Sequence, residues 1–138
     1  RLSCRQILRP VFLVKRSQLY TLAFLYDEAI ADMDAAIALD SDNALLYVER
    51  GQRILLLYEW DRALADFNHA LELDSTYADA YYFRGILYAS VPEGIDARHL
   101  ALEDFERYLE LAPDGQHAAD AAENIADLQA QLDALASS

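Results

Sequence analysis

Three histidines, one cysteine and a scatter of serines and carboxylates are the groups in this 138-residue chain able to move protons, attack carbonyls or hold a metal. His69, His99 and His117 stand far apart, and none is spaced with Cys or a carboxylate as a metal site requires. Ser3, Ser17, Ser41, Ser75 and Ser90 have no base at a spacing that would activate them. The chain has no glycine-rich phosphate loop, no nucleophile elbow and no Cys-x-x-Cys. A spread of Asp and Glu along helices is ordinarily a solvated face. The sequence therefore predicts no catalytic residue, no metal site, no cofactor and no enzymatic activity.

Charge narrows the range of partners. The net charge is −13, yet residues 1–26 carry five bases and no acid, so the remainder holds 24 acids against 6 bases. A body that acidic repels phosphate backbones, and nucleic acid is not an expected partner. A partner with basic flanks suits it better. No stretch approaches the roughly 18 apolar residues of a membrane span. Cys4 is alone and cannot form an internal disulfide, which makes a reducing cytoplasm the expected location. The chain opens at Arg1 rather than Met, which reads as a fragment, a trimmed product or a processed one. Its Arg-rich start has something of an organelle transit peptide, whereas secretory and lipoprotein signals would need a longer apolar stretch.

The elements that would position any site repeat every 34 residues. Tyr26, Asp27 and Ala29 recur as Trp60, Asp61 and Ala63, and Asp32 and Ala36 recur as Asp66 and Ala70. Leu39-Asp40-Ser41 recurs as Leu73-Asp74-Ser75, and Tyr47, Arg50 and Gly51 recur as Tyr81, Arg84 and Gly85. A fixed period of this length marks stacked supersecondary units. Within the clearest one, apolar residues at helical spacing predict a helix over 44–58 capped by Asn43, a turn at 59–61 and a second helix over 62–73. Gly51 and Gly85 fall inside helices, where glycine costs about 1 kcal/mol, and mark close approach of a neighbour. After Pro113, Ala118, Ala121, Ile125, Leu128, Leu132 and Leu135 follow one face of a final helix.

At these residues the chain resembles the tetratricopeptide repeat family, whose 34-residue helix-turn-helix unit carries an aromatic, Leu-Gly and Tyr, then Ala, an aromatic, Ala and Pro. The best-matching unit, 44–77, has Tyr47, Gly51, Ala63, Phe67 and Ala70, with Ser75 in place of proline. The unit at 78–115 has Tyr81, Gly85, Tyr88, Ala101, Phe105 and Pro113, with a four-residue insertion near Ser90 to Asp96 that predicts a larger loop. A degenerate first unit, 10–43, carries Tyr20, Ala29 and Ala36, with Ser17 for glycine, Met33 for the aromatic and Ser41 for proline. The resemblance implies an all-α, right-handed helical-repeat solenoid of three helix-turn-helix units. Residues 1–9 precede them as a lead-in, and 116–138 supply a capping helix that covers the last apolar face.

Function then falls to a concave surface, lined in this family chiefly by the first helix of each unit. Helical geometry nominates Val14, Gln18 and Thr21 from the first unit. It adds Leu45, Val48, Gln52 and Leu55 from the second, and Asp79, Tyr82, Ile86 and Ala89 from the third. The implied function is a non-catalytic protein–protein interaction module that binds a peptide or helix in this apolar groove, with Tyr82, Val48 and Leu55 as anchors. Self-association, through the last helix or Val11 to Leu13, is the alternative, as is a regulatory domain of a larger protein. The family's chaperone-binding members clamp a terminal carboxylate with Lys, Asn and Arg. The matching places here hold Val14, Gln18, Glu49, Asp79 and Phe83, which predicts that chaperone tails are not bound.

Overall fold

The structure, a computed structural model, describes residues 4–92 and 94–138. Among these are seven helices and no strand. The helices fall into two compact units, one ending at Ser75 and the other spanning Thr76–Ser138. Among the described residues no helix is long and apolar enough to cross a membrane.

The first unit holds α1 (Cys4–Leu22), α2 (Tyr26–Leu39), α3 (Ala44–Leu55) and α4 (Trp60–Leu73). The α1 helix corrects the lead-in predicted for 1–9, since it begins at Cys4 and runs through Pro10. Leu, Gln and Arg are strong helix formers and carry α1 through Pro10, which lies in its second turn and removes one backbone hydrogen bond there. Residues 1–3 of that segment lie outside the described residues. The α3 helix begins as predicted, with Asn43 Oδ1 accepting from the Leu45 amide at 3.2 Å. It stops at Leu55, three residues early, and α4 starts two residues early at Trp60.

Each helix pair closes on a small residue facing a large one. A Cβ at Gly51 would stand 2.6 Å from Phe67 Cε1, and one at Gly85 would stand 3.1 Å from Phe105 Cε1. At Gly51 a Cβ would force the Phe67 ring to shift. In the first pair the complement differs, with Ser17 and Met33 both fully buried. The flexible thioether leaves room that a phenyl ring would fill, and Ser17 Oγ donates to the Ala29 carbonyl at 2.8 Å.

The second unit holds α5 (Ala78–Ser90), α6 (Ile95–Leu111) and α7 (Ala118–Ala136). The insertion does not make the larger loop predicted for 90–96, of which Glu93 lies outside the described residues. It lengthens α6 to 17 residues, where α2 and α4 each have 14. A further helical turn satisfies its own backbone groups, which a loop leaves to solvent. Arg98 in that turn donates through Nε to Gln131 Oε1 of α7 at 3.1 Å. Ala121 and Leu128 of α7 are buried against Ala101, Phe105 and Tyr108 of α6, with Ile125 partly buried beside them. The final helix is thus a cap over α6, as its periodicity predicts.

Candidate functional site

Among the described residues, no three His, Cys, Asp or Glu side chains are grouped to hold a metal. The histidines are occupied structurally or lie open. His69 sets its ring edge-on to Tyr47 at 4.4 Å, His117 stacks on Tyr82 at 4.1 Å, and His99 is exposed.

The open concavities of the first unit run along α1 and α3. One of about 320 Å³ is lined by Gln18, Thr21 and Leu22 of α1 and by Glu49, Gln52, Arg53 and Leu56 of α3 and its end. Its neighbour, about 240 Å³, includes Val14, Lys15 and Gln18 with Asn43, Leu45 and Leu46. Gln18 lines both and joins them. The structure therefore brings five of the predicted groove residues together: Val14, Gln18, Thr21, Leu45 and Gln52. Among the described residues the side-chain amides of Gln18 and Gln52 make no hydrogen bond, while Thr21 Oγ1 is spent on the Ser17 carbonyl at 2.9 Å.

Two predicted anchors are corrected. Val48 is 1% exposed and Tyr82 is 7% exposed, so neither offers a surface. Val48 belongs to a buried arc of α3 that also holds Leu46, Tyr47, Gly51 and Ile54. A helix packed on both α2 and α4 hides more than the single stripe that periodicity assigns. Tyr82 is covered within its own unit, stacked on His117 and hydrogen-bonded to Asp120 of α7. Burial, then the Asp120 bond, pushes its hydroxyl above the ordinary phenol range. Leu55 is half-buried and lines neither concavity. Asp79, Ile86 and Ala89 belong to the second unit; there Ile86 packs on the core and Ala89 is exposed. Of the Val11–Leu13 segment, Leu13 is buried.

Arg53 is the lining residue that the sequence does not single out. Its side chain is 5% exposed, and Nη1 donates to both the Glu49 carbonyl at 2.6 Å and Glu49 Oε2 at 2.7 Å. Its Nε is buried and has no partner among the described residues. The concavity is thus backed by a buried, oriented guanidinium whose Nε is unspent among the described residues. Arg53 holds the tenth place of its unit, where the other two units have Leu19 and Leu87.

No family model and no curated protein matches the sequence. Solved structures do. The first TPR domain of Spaghetti (RPAP3), bound to the HSP90 peptide SRMEEVD, is 26% identical over 90% of this chain and 93% of its own, with a TM-score of 0.78. The first TPR domain of human RPAP3 is 26% identical, covering 91% of this chain and 96% of its own at a TM-score of 0.77. The chain has the fold of a tetratricopeptide-repeat array. The TPR2B domain of yeast Sti1, in its pHsp70 complex, is 18% identical over 90% of this array and 98% of its own length, with a TM-score of 0.79, and adds its weight to the fold.

These neighbours are protein-interaction domains rather than enzymes, and the array is a protein-interaction fold. They also overturn the prediction against chaperone tails, because similar structures hold HSP90 and HSP70 peptides. That prediction weighed five matched positions alone. A guanidinium can enter the concavity from elsewhere on the same helix, as Arg53 does in this array.

Proposed function

We propose that the array is a non-catalytic module that takes an extended peptide ending in a carboxylate, of the kind a chaperone tail presents, along the α1–α3 concavity. The observation that carries this reading is Arg53. Glu49 fixes one nitrogen of its guanidinium and the buried Nε is left without a partner, so a peptide carboxylate that parts the lining side chains meets an unspent charged donor. Gln18 and Gln52 stand on either side with uncommitted amides that suit a peptide backbone. Val14 and Leu45 extend the apolar part of the track.

Charge sets the affinity range. A body of net charge −13 repels an acidic tail at long range, so added salt screens the repulsion and tightens binding. Titration calorimetry with the peptide SRMEEVD and its C-terminal amide tests the reading. Amidation weakens binding about tenfold, equal to about 1.4 kcal/mol. Arg53→Met combined with Glu49→Gln removes the preference for the free acid. Failure of the free-acid peptide to bind at millimolar concentration would sink the proposal.

A further inference from the structure

Phe24 and Tyr58 occupy the left-handed region, at φ 60° and 59°, and they stand 34 residues apart. Among the described residues they are the only two non-glycine positions there. An aromatic side chain pays about 1–2 kcal/mol for that conformation, and glycine pays none. Burial gives no return, because Phe24 is 78% exposed and Tyr58 is 74% exposed.

The conformation ends the helix, with the Leu25 amide donating to the Tyr20 carbonyl at 2.9 Å across Phe24, and it also turns the aromatic side chain outward. Phe24 stands edge-on to Tyr26, with centroids 6.3 Å apart at 85°, and Tyr58 stands edge-on to Trp60 at 5.6 Å and 74°. Each pair is followed by acid: Asp27 and Glu28 in the first turn, Asp61 in the second. None of these three carboxylates has a hydrogen-bond or ion-pair partner among the described residues, whereas Glu59 is taken by Arg62 Nη1 at 2.6 Å. Around the second pair lies a recess of about 330 Å³, lined by Tyr58, Glu59, Trp60, Asp61 and Arg62. The same aromatic–aromatic–acid arrangement therefore occurs twice within one unit, at one repeat's spacing.

We infer that these two turns form a paired receptor for a basic segment of a protein partner. Arginine or lysine side chains lie over the faces of Tyr58 and Trp60, and of Phe24 and Tyr26. Asp61 and Asp27 neutralise the cations from beside the rings. Cations are attracted to aromatic faces, more strongly where a carboxylate is near. The occupant is opposite in charge to the peptide proposed for the α1–α3 concavity, so the two sites are independent.

Trp60 is the only tryptophan, so its fluorescence reports on this site directly. The probe is the peptide Ac-RGGRGGR-NH2, titrated at fixed ionic strength. A saturable change in Trp60 emission is expected. Phe24→Gly with Tyr58→Gly weakens binding at least fivefold while the melting temperature holds or rises. Asp27→Asn with Asp61→Asn weakens binding as well, with both aromatic pairs intact. Unchanged affinity in the double-glycine variant would show diffuse attraction to an acidic body and overturn the inference. So would a silent Trp60 in the wild type, or tighter binding of a hexaproline peptide than of the arginine probe.

Discussion

Arg50 grips Asp66 through two parallel hydrogen bonds, Nε to Oδ2 at 2.8 Å and Nη2 to Oδ1 at 2.7 Å. The same fork joins Arg16 to Asp32 at 2.7 and 2.6 Å, and Arg84 to Asp104 at 2.8 Å twice. The partners are 16 residues apart in the first two pairs and 20 in the third, which carries the four-residue insertion. Every helix pair is therefore bolted by one bidentate ion pair whose carboxylate is buried. Each aspartate holds its arginine's proton more firmly than usual.

Removing one partner should cost far more than removing both. Arg50→Met strands a buried carboxylate and is expected to lower unfolding free energy by about 3 kcal/mol. Arg50→Met with Asp66→Leu should recover most of that loss. Denaturant midpoints of the two variants, compared at constant m-value, check this.

Gly51→Ala sets helix propensity against packing. Alanine gains up to about 1 kcal/mol in a helix, yet its methyl meets Phe67 at 2.6 Å, and overpacking of this kind costs about 1–3 kcal/mol. Net destabilisation of about 1–2 kcal/mol is expected. Gly51→Ser with Phe67→Met, which copies the Ser17 and Met33 complement, should be milder than Gly51→Ser alone in thermal unfolding.

Tyr82 is core. Tyr82→Ala is expected to cost about 3–4 kcal/mol, measured by calorimetry, rather than to alter a surface. Its hydroxyl also carries a pH signature. The folded-state pKa lies above the unfolded value near 10, so its contribution is complete below that value and is lost as pH rises through the folded one. Above pH 10, wild type should lose melting temperature faster than Tyr82→Phe, and below it the two should run parallel.

Phe24→Gly should stabilise. Relief of the left-handed strain, less the entropy glycine adds to the unfolded chain, leaves about 0.5–1 kcal/mol in favour of the variant. A rise in melting temperature checks it. A fall would mean that the edge-on contact with Tyr26 outweighs the strain.

The 34-residue period, the helix pairs, the close approaches at Gly51 and Gly85 and the capping helix were all legible in the residues. Each of these features is written locally, in apolar spacing along one helix or in a small residue opposite a large one at a constant offset. The recurrence of Arg50 as Arg84 and of Asp32 as Asp66 was equally visible. Their pairing was not, because a contact between residues 16 or 20 apart depends on how two helices cross. For the same reason periodicity left Val48 and Tyr82 on a surface and left Arg53 unremarked. A period states which residues share a face of one helix. Only packing decides whether that face meets water, and packing alone turned Glu49 onto one side of Arg53 and left its buried Nε without a partner among the described residues.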